Sequence, residues 1–126
     1  MARIGEDAPA AGPVITAFAP GGGFSVQGQV FEGLFLTPER AFGWAPPAVA
    51  ALEMRDLAPI LELDPAPEFV LLGTGSALRF PPRALVRALE EKGIGMEAMD
   101  SRAAARTWGL LRGEERWIVA ALMPLA

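Results

Sequence analysis

The chain has 126 residues, of which 52% are hydrophobic and 21% charged, a balance that predicts one folded domain with a core and excludes wholesale disorder. It contains no His, Cys or Tyr, which excludes Ser-His-Asp triads, thiolate nucleophiles, disulfides and zinc sites of the usual N/S type and leaves carboxylates and Lys92 to carry any proton chemistry. The formal net charge of −4 opposes a phosphate-neutralising surface, so no nucleic acid is expected as a partner, and no apolar run approaches the roughly 18 residues that span a bilayer.

The opening Met1-Ala2-Arg3-Ile4-Gly5-Glu6-Asp7 has neither the apolar stretch of a signal peptide nor the acid-poor composition of a transit sequence, and the expected location is cytoplasmic. Residues 1–13 are expected as a flexible lead-in and residues 14–126 as a single α/β domain. Val14-Ile15-Thr16-Ala17-Phe18 is β-prone and stops at Pro20-Gly21-Gly22-Gly23, where glycine supplies the backbone freedom of a reversal. Phe24 to Gln27 alternates apolar and polar, Gly28 interrupts, and Val30 to Leu36 resumes as a strand, which together predict a β-hairpin. Thr37-Pro38 ends it.

Residues 46–55 fit a helix or an extended segment equally. Asp56 has the character of an N-cap for a short helix carrying Leu57, Ile60 and Leu61, closed before Pro65-Ala66-Pro67. Phe69-Val70-Leu71-Leu72 is a continuous apolar run of strand length, as in a strand buried on both faces. Pro81-Pro82 open a helix through Lys92, with Leu85, Val86 and Leu89 on one face and Gly93 as its stop. Ile94 to Met99 reads as a strand, Asp100 or Ser101 as the cap of a helix to about Arg112, and Trp117 to Leu122 as a last buried strand. An N-terminal β-hairpin followed by β-α-β-α-β predicts a three-layer α/β domain with a mixed central sheet.

Crevices in such folds lie beyond the carboxyl ends of the strands, which singles out two loops. Gly73-Thr74-Gly75 is a fragment of a phosphate loop without its Lys, and its glycines also suit a sharp turn with close packing. Asp100-Ser101-Arg102 sits at a helix N-terminus, where Arg102 is a cation that the helix dipole disfavours and an anion would offset; Asp100 as a cap would neutralise it too. Arg106 shares the Arg102 face and calls for compensation from Glu114, Glu115 or an external partner. Glu114 and Arg116 read as a structural ion pair. The candidate anion crevice is therefore Gly73, Thr74, Gly75, Asp100, Ser101, Arg102 and Arg106. No catalytic residue, metal ligand or cofactor is assigned.

Gly73-Thr74-Gly75 after a strand, then Glu97-Ala98-Met99-Asp100-Ser101, Ala103-Ala104, Arg106-Thr107-Trp108, Leu110-Leu111, Glu114, Arg116 and Val119-Ala120-Ala121-Leu122 resemble the mitochondrial complex I assembly factor 3 family. That family includes small bacterial and archaeal proteins of unknown function and human adipogenesis-associated homologues. Gly22-Gly23-Phe24, the hairpin and Trp44 also fall in order, so the likeness spans nearly the whole chain. The sequence departs from the family where Thr often stands at Ser101, Cys at Ala105 and Tyr-Asn at Trp108-Gly109, and a role that needs those groups cannot operate here. The resemblance implies a three-layer α/β domain and, in mitochondrial members, help with respiratory complex I assembly through protein contacts.

The expected function is accordingly a non-enzymatic protein-interaction module, an assembly factor for a membrane-bound respiratory complex. Its expected partners are subunits of that complex or another assembly factor, reached at the inner membrane peripherally through a partner. Phe31, Phe35, Phe42, Trp44 and Trp117 are candidate apolar anchors wherever they are exposed. The alternative is a small-anion-binding protein or enzyme that uses the two-loop crevice.

Overall fold

Two short hairpins form where the backbone is allowed to turn tightly. In the computed structural model, which describes residues 12–126, β1 (Ile15–Phe18) and β2 (Phe24–Val26) pair antiparallel. Gln27 and Gly28 both carry positive φ, 52° and 83°, the signature of a two-residue hairpin turn, and return the chain as β3 (Gln29–Phe31). Glu32-Gly33 then breaks what reads in sequence as one strand from Val30 to Leu36. A Cβ on Gly33 would lie 2.4 Å from the Trp44 carbonyl oxygen, so only glycine lets the chain pass here from the three-stranded sheet into a second one.

That second sheet is the frame of the molecule. Its order is β5 (Ala41–Gly43), β4 (Leu34–Leu36), β8 (Val119–Leu122), β6 (Phe69–Gly73) and β7 (Gly95–Met99). The β4 strand is antiparallel to both neighbours, whereas β6 runs parallel to β7 and β8. The last strand of the sequence thus lies in the middle of the sheet, and β5, three residues long, is an addition that the sequence pattern does not announce. The fold is mixed α/β with a mixed central sheet, as expected, although the N-terminal strands form a sheet of their own.

Helices cover both faces. A 3₁₀ turn (Val49–Ala51) leads into α1 (Met54–Leu61), which resolves the ambiguous segment. The N-cap is Glu53 rather than Asp56, and Asp56 sits in the first turn, where its carboxylate accepts the Glu53 N–H at 2.8 Å. This reciprocal geometry moves the helix start upstream of the expected cap. The α2 helix (Arg83–Glu90) begins after Pro81-Pro82, and Gly93 follows it with φ of 77°. The α3 helix (Ser101–Gly113) is capped by Asp100, whose Oδ1 accepts the Ala103 N–H at 2.9 Å.

On one sheet face, α1 and α2 bury Leu57, Ile60, Leu85 and Leu89 against Val70, Leu72, Val119 and Ala121. On the other, Ala104 and Trp108 of α3 join Phe24 and Val26 of the small sheet over Leu34, Leu71, Ala120 and Leu122. Each fully buried large side chain is worth about 1.5–3 kcal/mol. Trp108, wholly buried, also donates its indole N–H to the Pro13 carbonyl at 2.9 Å; of the expected lead-in, residues 1–11 lie outside the described residues.

Candidate functional site

The carboxyl ends of β6, β7 and β8 converge, and glycine lets them do so. At Gly73 a Cβ would stand 2.6 Å from Leu122 Cδ2 and 2.8 Å from Ser101 Oγ. Removing that one carbon brings the end of β6 against the first residue of α3. The two loops singled out in the sequence are therefore neighbours, and they are joined directly. Ser101 N–H donates to the Gly75 carbonyl at 2.8 Å, and Gly75 N–H returns a bond to Ser101 Oγ at 2.9 Å. The same hydroxyl donates to the Met123 carbonyl at 2.7 Å, just past β8, and the serine is fully buried.

Thr74 performs the same service one residue on. Its N–H donates to the Met99 carbonyl at 2.9 Å, and its hydroxyl donates to the Ala77 carbonyl at 2.7 Å while accepting the Arg79 N–H at 3.0 Å. Asp100 spends its carboxylate on the α3 cap. The polar groups between the two loops thus bond to one another, and among the described residues no buried side-chain N or O lacks a partner. Such a closed network is worth more than isolated bonds, because each unmade bond would leave a buried group unsatisfied.

The two arginines turn outward. Arg102 lies over the Phe18 ring, its guanidinium carbon 4.7 Å from the ring centre, a cation–π contact rather than an ion pair with Asp100. Arg106 is exposed and is not paired with Glu114 or Glu115. Arg116 is not paired with Glu114 either; it grips Glu68 at 2.7 Å, and Glu68 also accepts the Trp117 N–H at 3.3 Å. The Arg116 hydrogen bond, aided by the Trp117 N–H, outweighs partial desolvation and holds the Glu68 carboxyl below the usual glutamate range.

Of the five aromatic anchors expected, none is exposed. Phe35 is buried, stacked on Trp44 at 4.3 Å and tilted against Phe42 at 5.4 Å. The Trp44 indole donates to the Leu122 carbonyl at 3.2 Å and that of Trp117 to the Pro65 carbonyl at 2.6 Å. These rings are core and strut.

The exposed apolar surface lies elsewhere. Phe80 is 79% exposed and Leu78 50%, both in the loop that runs from Gly75 to α2. Phe80 stands between two grooves. One, of about 450 Å3, is lined by Val49, Thr74, Gly75, Arg79 and Pro124. The other, of about 430 Å3, runs between Arg83 and Val86 of α2 and Met96 to Ala98 of β7. Neither residue belongs to a periodic pattern in the sequence; the one local signal is an aromatic flanked by Arg79 and Pro81-Pro82. Lys92 is exposed on the rim of a further cavity of about 650 Å3 beside α1.

The model of a family of proteins of unknown function, DUF498/DUF598, matches residues 15–123. The chain belongs to this family. The DUF498/DUF598 match runs from β1 to just past β8, so both sheets and the closed network lie within it. Among curated relatives, NADH dehydrogenase [ubiquinone] 1 alpha subcomplex assembly factor 3 of Danio rerio is 30% identical over 115 residues, 90% of this chain and 66% of that protein. The Bos taurus protein of the same name is 33% identical over 104 residues, 81% of this chain and 56% of its own length. The chain thus spans between half and two-thirds of these assembly factors. An uncharacterised protein of Rhodobacter capsulatus is 31% identical over 112 residues, with 84% of its length covered.

Solved structures agree on the architecture. A Bordetella parapertussis protein superposes with a TM-score of 0.79 at 33% identity, covering 89% of this chain and 95% of that one. A Bordetella pertussis Mth938-like domain does so with a TM-score of 0.80 at 28% identity, covering 98% and 92%. The DUF498/DUF598 chain therefore shares its fold with bacterial proteins almost end to end.

Proposed function

We propose that this chain is a non-enzymatic protein-interaction module that assists the assembly of a membrane-bound respiratory complex of the complex I type. The observation that carries the reading is the match to assembly factor 3 of Danio rerio and Bos taurus over 90% and 81% of this chain. The side-chain inventory supports it, since a chain without His, Cys or Tyr is poor in the groups that acid–base and nucleophilic catalysis use. The mutual bonding of the two loops supports it as well, because recognition then falls to the outer surface. Among the described residues no helix is long and apolar enough to cross a membrane, and we place the protein in the cytoplasm, brought to the inner membrane by its partners. Deletion in the source organism tests this: complex I-type assembly intermediates should accumulate, and affinity purification should recover complex subunits or another assembly factor. Normal assembly with no such subunit recovered would refute it.

The second reading is a small anion held by Gly73, Thr74, Gly75, Asp100, Ser101, Arg102 and Arg106. It is favoured by the adjacency of the two loops and by the groove that opens against Thr74 and Gly75 beside Arg79. Phosphate titration followed by NMR decides it. Binding would shift the Gly73–Gly75 and Ser101–Arg102 amides; unchanged amides would end the reading.

A further inference from the structure

The groove between Phe80 and Val49 lies just beyond the carboxyl ends of β6 and β8, the end at which open α/β sheets hold their ligands. Four segments meet in it: Thr74 and Gly75 after β6, Met123 and Pro124 after β8, the 3₁₀ turn that begins at Val49, and Arg79-Phe80. Val49 and Met123 are only 7% and 6% exposed and give the groove a buried apolar lining, while Phe80 leaves most of its ring uncovered. The volume of about 450 Å3 falls within the roughly 300–1,000 Å3 of small-molecule sites.

Charge narrows what the groove fits. Among the described residues Arg79 is the one charged group that lines it, no carboxylate does, and Arg79 forms no ion pair. The cavity beside α1 carries both signs, Arg55 and Lys92 against Glu62, and so does the groove beside β7, Arg83 against Glu97. An unbalanced guanidinium over an apolar lining complements one carboxylate on an apolar body. The main chain here is largely engaged already. Thr74 N–H bonds to Met99, both main-chain groups of Gly75 bond to Ser101, and Met123 bonds through its N–H to Gly73 and through its carbonyl to Ser101. The Val49 carbonyl accepts the Leu52 N–H, and Pro124 has no N–H to offer. An extended peptide, held by main-chain bonds, finds few partners in such a groove. A small molecule held by apolar contact and one charge needs none.

We propose that this groove binds a small monocarboxylate with an aromatic or alkyl body, its carboxylate on Arg79 and its body against Phe80, Val49 and Met123. Arg79 supplies a planar fork that a carboxylate can meet with two hydrogen bonds, and Phe80 an uncovered ring for the body to pack on. The site is separate from the assembly role and from an anion held between the two loops: Arg102 lies over Phe18, and neither Arg102 nor Arg106 lines this groove.

The test uses the purified full chain, labelled with 15N, and four probes. These are phenylpropionate, its uncharged and cationic counterparts phenylpropanol and phenylpropylamine, and acetate, which has the charge without the body. Phenylpropionate should shift the Thr74, Gly75, Arg79, Phe80 and Met123 amides and bind about tenfold more tightly than each of the others. Arg79→Gln should lose that advantage, about tenfold, while binding phenylpropanol as the parent does, and Arg79→Lys, which keeps the charge, should retain part of it. Phe80→Ala should weaken phenylpropionate and phenylpropanol alike. Absence of shifts at these amides, an amine bound as tightly as the acid, or unaltered affinity in Arg79→Gln would each overturn the proposal. So would a peptide ending in phenylalanine that binds more tightly than phenylpropionate, which would give the groove to a protein tail, and so would shifts confined to Ser101–Arg102, which would return the anion to the two loops. None of these readouts needs a partner protein. Loss of complex assembly on deletion with no acid bound therefore strikes this site alone, and intact assembly with the acid bound strikes the assembly role alone.

Discussion

A single methylene decides how tightly three strand ends can meet. Gly73 has no room for a Cβ between Leu122 and Ser101, so Gly73→Ala should destabilise by about 1–3 kcal/mol, the usual cost of overpacking. Ser101→Ala removes the hydroxyl that serves Gly75 N–H and the Met123 carbonyl together and should cost about 1–3 kcal/mol through the buried groups left unpaired. Urea unfolding of each single variant and of the pair checks both. Because the two residues touch, their combined effect should be less than the sum. The glycines at this site are legible in sequence as a sharp turn that allows close packing. That Ser101 is the neighbour they make room for was not legible, since 26 positions separate Gly75 from Ser101 and only the folded sheet brings them together. Phe80 was invisible for the converse reason: exposure of an aromatic is a tertiary property that no local pattern records.

Elements were legible where start, stop and periodicity agreed. Around α2, Pro81-Pro82, Leu85, Leu89 and Gly93 give the same boundaries, and around β6 an unbroken apolar run has one reading at that length. The N-terminal half lacked that agreement. Val30 to Leu36 is split by a contact with Trp44, and β5 is too short to show alternation. The start of α1 was misplaced because Asp56 binds backward to Glu53, a bond that resembles a cap in sequence and lies inside the helix in space. Asp56→Ala should therefore cost about 1 kcal/mol and fray the first turn of α1. Amide exchange localised to residues 53–57, with α2 unchanged, is the expected pattern.

At the scale of the molecule, the segment entering β6 and the segment entering β8 are fastened by one pair of charges. Arg116 bonds Glu68, Glu68 N–H donates to the Trp117 carbonyl at 2.8 Å, and Trp117 reaches Pro65. The depressed Glu68 carboxyl contributes stability above its unfolded-state range, and that contribution is lost as pH falls through its lower folded-state range. The pair is close to half exposed on each side, so the effect is small. Thermal unfolding of the parent and of Glu68→Gln should show the parent more stable at neutral pH, the gap closing in acid. A gap that widens in acid would reverse the assignment.

The position of β8 has a further consequence for a chain made from one end to the other. During synthesis, the β4–β5 hairpin and the β6–β7 pair emerge first, and each presents an unpartnered strand to its surroundings. No hydrogen bond of the central sheet joins the two halves until Val119–Leu122 slides between them. The nascent protein must therefore wait, with two sticky edges open, for β8 to leave the ribosome. That interval, rather than the finished fold, is when it is most exposed to aggregation.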